Sequence, residues 1–346
     1  MDMARREARR RHVIAVVVGA LMIAGCTGAE DTSPPVSPPP TAATPVASPP
    51  AQPSPPDAAY RAFVALESAD EVAVVIGPPW RIATRLPVPV GPHNIAASAD
   101  GRYVAVTSPA ADVVTIVSAA DARIVSQPRV DGFPHDVAFT PDGTLLWVAA
   151  EGGENLVALS VPDGGQARVV PLNAAPHDLA ISPDGQELWA TLDGSSAVEV
   201  RSPLDATSLA RPEIGGAPHD IAFTPDGGEV WFSNWSSPQL TVASASSRRV
   251  VATLDAGTEP HHFTFSAGQV IASDNGGDAV VRIDSAARRI LARVPTGPAP
   301  HHVAVAGDIV LVAVNGTGEL TAIDPSGAAV PLAVGAGPHD VVVVRG

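Results

Sequence analysis

Nine of the ten histidines in this 346-residue chain, with the acids beside them, carry its chemical interest. Seven stand directly after a proline: His93, His135, His177, His219, His261, His301 and His339, spaced 42, 42, 42, 42, 40 and 38 residues apart. The residue that follows is an amide or acid five times (Asn94, Asp136, Asp178, Asp220, Asp340) and a second histidine twice (His262, His302). Imidazole titrates near neutrality, acts as a general base beside a carboxylate, and in its neutral form ligates copper, zinc, iron and nickel. Copies brought together by the fold would make a metal centre, with copper or zinc as the expected ion, or an acid–base site. The two adjacent His-His pairs would give such a site a nitrogen-rich side facing an Asp-rich one. The same regularity also fits a fastening within each repeat, since folding pressure acts on every copy alike; Pro before and Asp after each histidine suit a tight turn with a local side-chain bond.

A fixed period near 40 residues defines a repeat architecture. In the unit from His135 to Pro176, four strand-like runs (Asp136 to Phe139, Leu145 to Ala149, Leu156 to Val161, Ala167 to Leu172) are separated by Pro-Asp-Gly and Gly-Gly turns. Four antiparallel strands per unit make a propeller blade. The C-terminal Pro338–Val344 supplies one strand, and three segments before His93 supply three more. The expected fold is therefore all-β, a seven-bladed propeller of four-stranded antiparallel blades, one closed by both chain ends. In that architecture the Pro-His junctions share a face with the loops between second and third strands, which carry Glu67, Glu151, Asp193, Asn234, Asp274 and Asn315. Glu151, Asp193 and Asp274 are expected as rim carboxylates. Trp147, Trp189 and Trp231 recur inside second strands and read as core between blades, whereas Trp235, in a turn on the histidine face, reads as a ligand contact.

The unit G-x-P-H-D-I-A-F-T-P-D-G-x-x-L-W-V resembles the YVTN-type β-propeller repeat of bacterial surface and periplasmic proteins, over roughly Ala59 to Gly346. That resemblance implies the fold, and it leaves activity open among binding scaffolds, lactonase-like enzymes and metal-dependent reductases. In WD-repeat propellers, a histidine at this junction bonds within its own blade. Nitrous oxide reductase, a seven-bladed propeller with hub histidines on copper, is similar in arrangement, but this chain lacks its cysteine-rich domain. A lactonase-like or streptogramin-lyase-like His/carboxylate site is a further expectation. No nucleophile elbow or phosphate-cradling glycine loop is present.

The net charge is −15, all 21 basic residues are arginine, and the balance after residue 25 is −18, which disfavours nucleic acid as a partner. The first 25 residues read as an export signal: a cluster of Arg5, Arg6, Arg9, Arg10 and Arg11, then an apolar run from Val13 to Ala24. Ile23-Ala24-Gly25-Cys26 resembles a bacterial lipobox, which implies cleavage before Cys26, the chain's one cysteine, and acylation (palmitate among the acyl chains) of that residue. Residues 26–57 are a Pro-rich stalk with no core-forming side chains, and residues 58–346 are the propeller. The expectation is a monomeric lipoprotein on the outer face of the cell membrane. It would bind an envelope protein or small ligand on its histidine-ringed face; a metal-dependent or His/carboxylate enzyme and a purely structural envelope scaffold are the alternatives. Replacing Cys26 by Ser should move the protein from the membrane to the soluble fraction, as read by fractionation and by mass spectrometry of the N-terminus; unchanged membrane retention would contradict lipidation.

Overall fold

The computed structural model describes residues 59–346; the export signal, Cys26 and the stalk lie outside the described residues. The described residues form 28 strands, β1 to β28 in chain order, in seven four-stranded antiparallel sheets. The innermost strands are β4 (Ile95–Ala97), β8 (Pro134–Phe139), β12 (Pro176–Ile181), β16 (Pro218–Phe223), β20 (Pro260–Ser266), β24 (Pro300–Ala306) and β28 (Pro338–Arg345). The last blade has the order β28, β1 (Tyr60–Leu66), β2 (Glu71–Gly77), β3 (Arg81–Pro87), so both chain ends meet in one sheet. There Tyr60 pairs with Arg345 and the register runs to Leu66 opposite Pro338. Closure leaves no first and last sheet with unpaired faces.

The second strands are β5 (Tyr103–Ser108), β9 (Leu145–Ala150), β13 (Leu188–Leu192), β17 (Glu229–Asn234), β21 (Gln269–Asp274) and β25 (Ile309–Val314), with β1 in that place in the last blade. They are buried almost throughout because both faces meet neighbouring blades. Trp147, Trp189 and Trp231 are fully enclosed between blades, Trp189 meeting Phe223 and Phe232 with ring centroids 6.0 and 6.3 Å apart. Their indole N–H groups are also satisfied: Trp189 and Trp231 donate to Glu187 and Glu229, and those carboxylates also bind Arg248 and Arg288 from the following blades.

On the far end from the histidines, the first turn of four blades repeats one device. The hydroxyls of Ser98, Thr140, Ser182 and Thr224 each donate to the Asp two residues on, at 2.6 Å. The glycine that follows takes a positive φ of 68 to 72°, a region a Cβ disfavours.

The innermost strands bulge where the chemistry sits. Pro134 opposes Ala150 and Val137 opposes Val148, so His135 and Asp136 together face the single residue Ala149. The same shift recurs at His177-Asp178, His219-Asp220, His261-His262 and His301-His302. A bulge of this kind re-aims side chains and lets two consecutive residues serve one site. Trp189→Ala should destabilise the protein by about 3–5 kcal/mol, measured by denaturant unfolding; a loss below about 1 kcal/mol would show that the neighbouring blade collapses into the space.

Candidate metal and ligand site in the histidine-lined hub

Each innermost strand begins at the axis, so the residue after its proline is delivered once per blade to the same place. His93, His135, His177, His219, His261, His301 and His339 form a closed ring, with neighbouring centroids 3.7 to 4.9 Å apart all the way round. Five of the nine hub imidazoles are buried (His135, His177, His219, His262, His339) and the other four are half-buried.

The second residue of each pair lies against this ring. His262 and His302 stack at 3.3 Å, and His262 also meets His219, His261 and His301 at 4.5 to 5.0 Å. The acids elsewhere reach across to the next blade: Asp136, Asp220 and Asp340 accept the backbone N–H of Leu179, Phe263 and Ile95 at 2.8, 2.9 and 2.7 Å. Asn94 joins the series by donating to Asp136 at 3.1 Å while accepting from His93 Nδ1 at 3.0 Å.

Hydroxyls on the second strands complete the bracing, and nothing in the repeat drew attention to them. Thr107 and Thr191 donate to the carbonyls of His135 and His219 in the following blades, both at 2.9 Å, and Ser233 and Ser273 do the same to His261 and His301. The equivalent residues in the partners of the second and sixth innermost strands, Ala149 and Ala313, have no hydroxyl. There imidazole takes over: His135 Nδ1–H donates to His177 O at 3.2 Å, and His302 Nδ1–H to His339 O at 3.0 Å. In neutral His302 this bond leaves Nε2 with its lone pair, the tautomer a metal ligand needs.

Five sets of three side chains each bring one donor atom apiece within 4.8 Å of one another: His219-His261-His262, His262-His301-His302, His135-Glu151-His177, His177-Asp178-His219 and Asp178-Asp220-His262. The first two hold nitrogen alone and share His262; the last three include carboxylate. Every histidine expected at the site is thus in the hub.

No family model matches the chain, and no curated protein matches it. Solved structures do resemble it. The periplasmic gluconolactonase of Pseudomonas aeruginosa aligns with a TM-score of 0.69 and 20% identity, covering 82% of this chain and 99% of that one. A functionally unknown protein from Desulfotomaculum acetoxidans aligns at 0.71 with 16% identity, over 82% and 98%. Dihydro-heme d1 dehydrogenase NirN aligns at 0.61 with 17% identity, over 80% and 74%. At these identities the likeness is one of propeller fold.

The rim differs in detail from expectation. A backbone N–H just past the second strand donates to the carbonyl before the blade's proline, at Glu67, Glu151, Asp193, Trp235, Asn275 and Asn315. These are the equivalent positions, so Asn234 and Asp274 stand one residue earlier. Asn234 bonds within its own hairpin, to Gln239 O and Thr241. Asp274 is buried, accepts the N–H of Thr258 and Glu259, and pairs with Arg293 at 3.0 Å. Asp193 is exposed, and Glu151 alone of the three rim carboxylates joins a hub set. Trp235, half-buried, lies over the ring with its centroid 3.9 Å from His219 and 5.6 and 5.9 Å from His177 and His261.

Burial, reinforced in most cases by neighbouring imidazoles, holds His93, His219, His261, His262, His301, His302 and His339 well below the usual histidine range, so they are neutral at pH 7. His135 is the exception: burial opposes its charge, but Asp178 beside it prevails and lifts it to about 9. Burial and the charge of Asp178 raise Asp136 to about 7, and burial above all holds Asp220 and Asp340 well above the carboxylate range.

These shifts set a stability profile. The lowered imidazoles stabilise the fold above the unfolded histidine value and withdraw that stability as pH falls, because the unfolded chain takes protons the folded one refuses. The raised Asp136, Asp220 and Asp340 act the other way, losing stability as pH rises past the ordinary carboxylate value, and His135 loses it between the ordinary histidine value and about 9. The thermal midpoint of the metal-free chain should peak near about pH 6–7 and fall on both sides; a midpoint climbing steadily from pH 7 to pH 5 would contradict neutral, buried imidazoles.

Proposed function

We propose that this chain is an exported metal-binding propeller that holds copper or zinc in its histidine-lined hub, tethered to the outer face of the cell membrane through a lipid on Cys26. One observation carries the reading: a closed ring of contacting imidazoles, buried or half-buried and most of them held neutral, with His262 and His302 adding nitrogen on one side. Nitrogen-only sets of three suit copper and zinc, and the bonds from Nδ1 of His135 and His302 to carbonyl oxygen are the support such ligands ordinarily have. The acidic body also favours accumulation of cations over anions. A YVTN-type ancestry is compatible with this role, as is binding of an envelope partner.

A second reading, an enzyme at the same mouth, is favoured by Glu151 and Trp235. They place a carboxylate beside His135 and His177 and an indole in edge contact with the ring, groups that a small substrate could meet. The resemblance in fold to a gluconolactonase and to a dihydro-heme d1 dehydrogenase is compatible with lactonase-like or reductase chemistry.

The full chain, purified without tag or chelator, should carry copper or zinc in near-stoichiometric amount by elemental analysis. His262→Ala/His302→Ala should lower the content at least several-fold while circular dichroism and the unfolding transition show the propeller retained. Metal-free protein that also refuses added copper and zinc would make the histidines blade fastenings and turn attention to protein partners.

A further inference from the structure

Asp178 departs from its repeat in a way its letter conceals. Asp136, Asp220 and Asp340 each give an oxygen to the backbone N–H two residues past the next blade's histidine. For Asp178 that donor would be Ile221 N–H, but Ile221 donates instead to Asp220 Oδ1 at 2.9 Å. Asp178 is therefore released from bracing the blades. It is 2% exposed, and no backbone N–H among the described residues reaches its carboxylate. His135 Nδ1 and His177 Nδ1 stand 3.3 and 3.1 Å from Oδ1, but the Nδ1 proton of His135 is directed to the His177 carbonyl. Imidazole nitrogens are thus the donors that meet this buried carboxylate, and a metal ion can take the place of the imidazolium that balances its charge.

The surroundings supply the other ligands. Donor atoms of Asp178, Asp220 and His262 lie within 4.8 Å of one another. Asp220 turns Oδ2 to Phe263 N–H, and its Oδ1 stands 3.6 Å from His262 Nδ1. Two carboxylates and one imidazole make a harder donor set than the nitrogen-only sets around His262, suited to zinc or manganese and poorly to copper(I).

We infer that Asp178, Asp220 and His262 form a divalent-cation site of their own, chemically distinct from the imidazole sets. The inference rests on the hub binding metal, and His262 stands where the two kinds of site join. Asp178 is then a ligand, while Asp136 in the same register is a brace.

The test uses the metal-stripped full chain, titrated calorimetrically with Zn²⁺ and with Mn²⁺, as wild type, as Asp178→Asn and as His301→Ala/His302→Ala. The double variant keeps all three proposed ligands and should still bind an equivalent of Zn²⁺ and take up Mn²⁺. Asp178→Asn should bind both ions at least about 100-fold more weakly at that position, while unfolding without metal at a temperature no lower than the wild type. Wild-type affinity in Asp178→Asn would overturn the site. So would a double variant that takes neither ion, which keeps the test decisive should Asp178→Asn fail to fold. Copper retained by the wild type in either of those cases leaves the imidazole reading standing; a wild type that binds no metal at all removes both.

Discussion

Convergence on an axis is the constraint from which the rest of this structure follows. Seven sheets that close into a ring must bring their innermost strands together, and a side chain placed at the start of each strand arrives beside its own copies. For an apolar residue this would make a plug. For histidine it makes a ring of contacting imidazoles, 3.7 to 4.9 Å between centroids, that cannot all be charged. The bulge at five of the Pro-His junctions doubles the effect there, because the following residue is also turned to the hub. Closure by β28 and β1 thus matters to chemistry as well as to stability: it puts His339 between His301 and His93.

The hub must also hold its blades together, and that duty limits which residues are available for anything else. Hydroxyls of Thr107, Thr191, Ser233 and Ser273, and the carboxylates of Asp136, Asp220 and Asp340, pass hydrogen bonds from each blade to the next. Where Ala149 and Ala313 lack the hydroxyl, His135 and His302 supply the bond to the next carbonyl. Fastening and ligation are therefore compatible on one ring: in neutral His302, Nδ1 braces a carbonyl while Nε2 keeps a lone pair. The opposition between a structural and a metal-binding histidine dissolves at His302.

Much of this was legible in the chain. The spacing of the seven Pro-His pairs yields the blade count, and the one-strand C-terminal piece with three segments before His93 yields the closure. The Thr/Ser-Pro-Asp-Gly turns and the tryptophans at a 42-residue interval also stand where their pattern places them. What failed was register at single-residue precision. Asn234 and Asp274 were one position short of the rim, because a strand's last residue and its loop's first look alike when both are polar. The bracing hydroxyls were invisible for another reason: Thr107, Thr191, Ser233 and Ser273 alternate with alanine and sit inside apolar strands, where a small hydroxyl reads as filler. Asp178 was hidden most completely, since its departure lies in which N–H it does not receive.

That last case shows how a repeat protein can acquire a site without abandoning its scaffold. A brace repeated around the ring is redundant: when Ile221 N–H is satisfied by Asp220 within its own blade, the bond from Asp178 can be given up. The carboxylate so freed is still held at the axis by the bulge and still enclosed by His135, His177 and His219. The field it creates has visible consequences: it lifts His135 to about 9 and adds to the burial that raises Asp136 to about 7, while the other seven hub imidazoles with resolved shifts stay neutral. A single released acid therefore breaks the sevenfold electrostatic symmetry that the fold imposes. On the same argument, His262 and His302 mark a second break, where the acid is replaced outright. Between the two breaks, Asp220 and His262 stand in adjacent blades, so the charged arc and the nitrogen arc meet at one seam instead of lying on opposite sides. A cation at that seam would be drawn by carboxylate from one blade and fixed by imidazole from the next, and the sheet-to-sheet rigidity of the ring would set the distance between them.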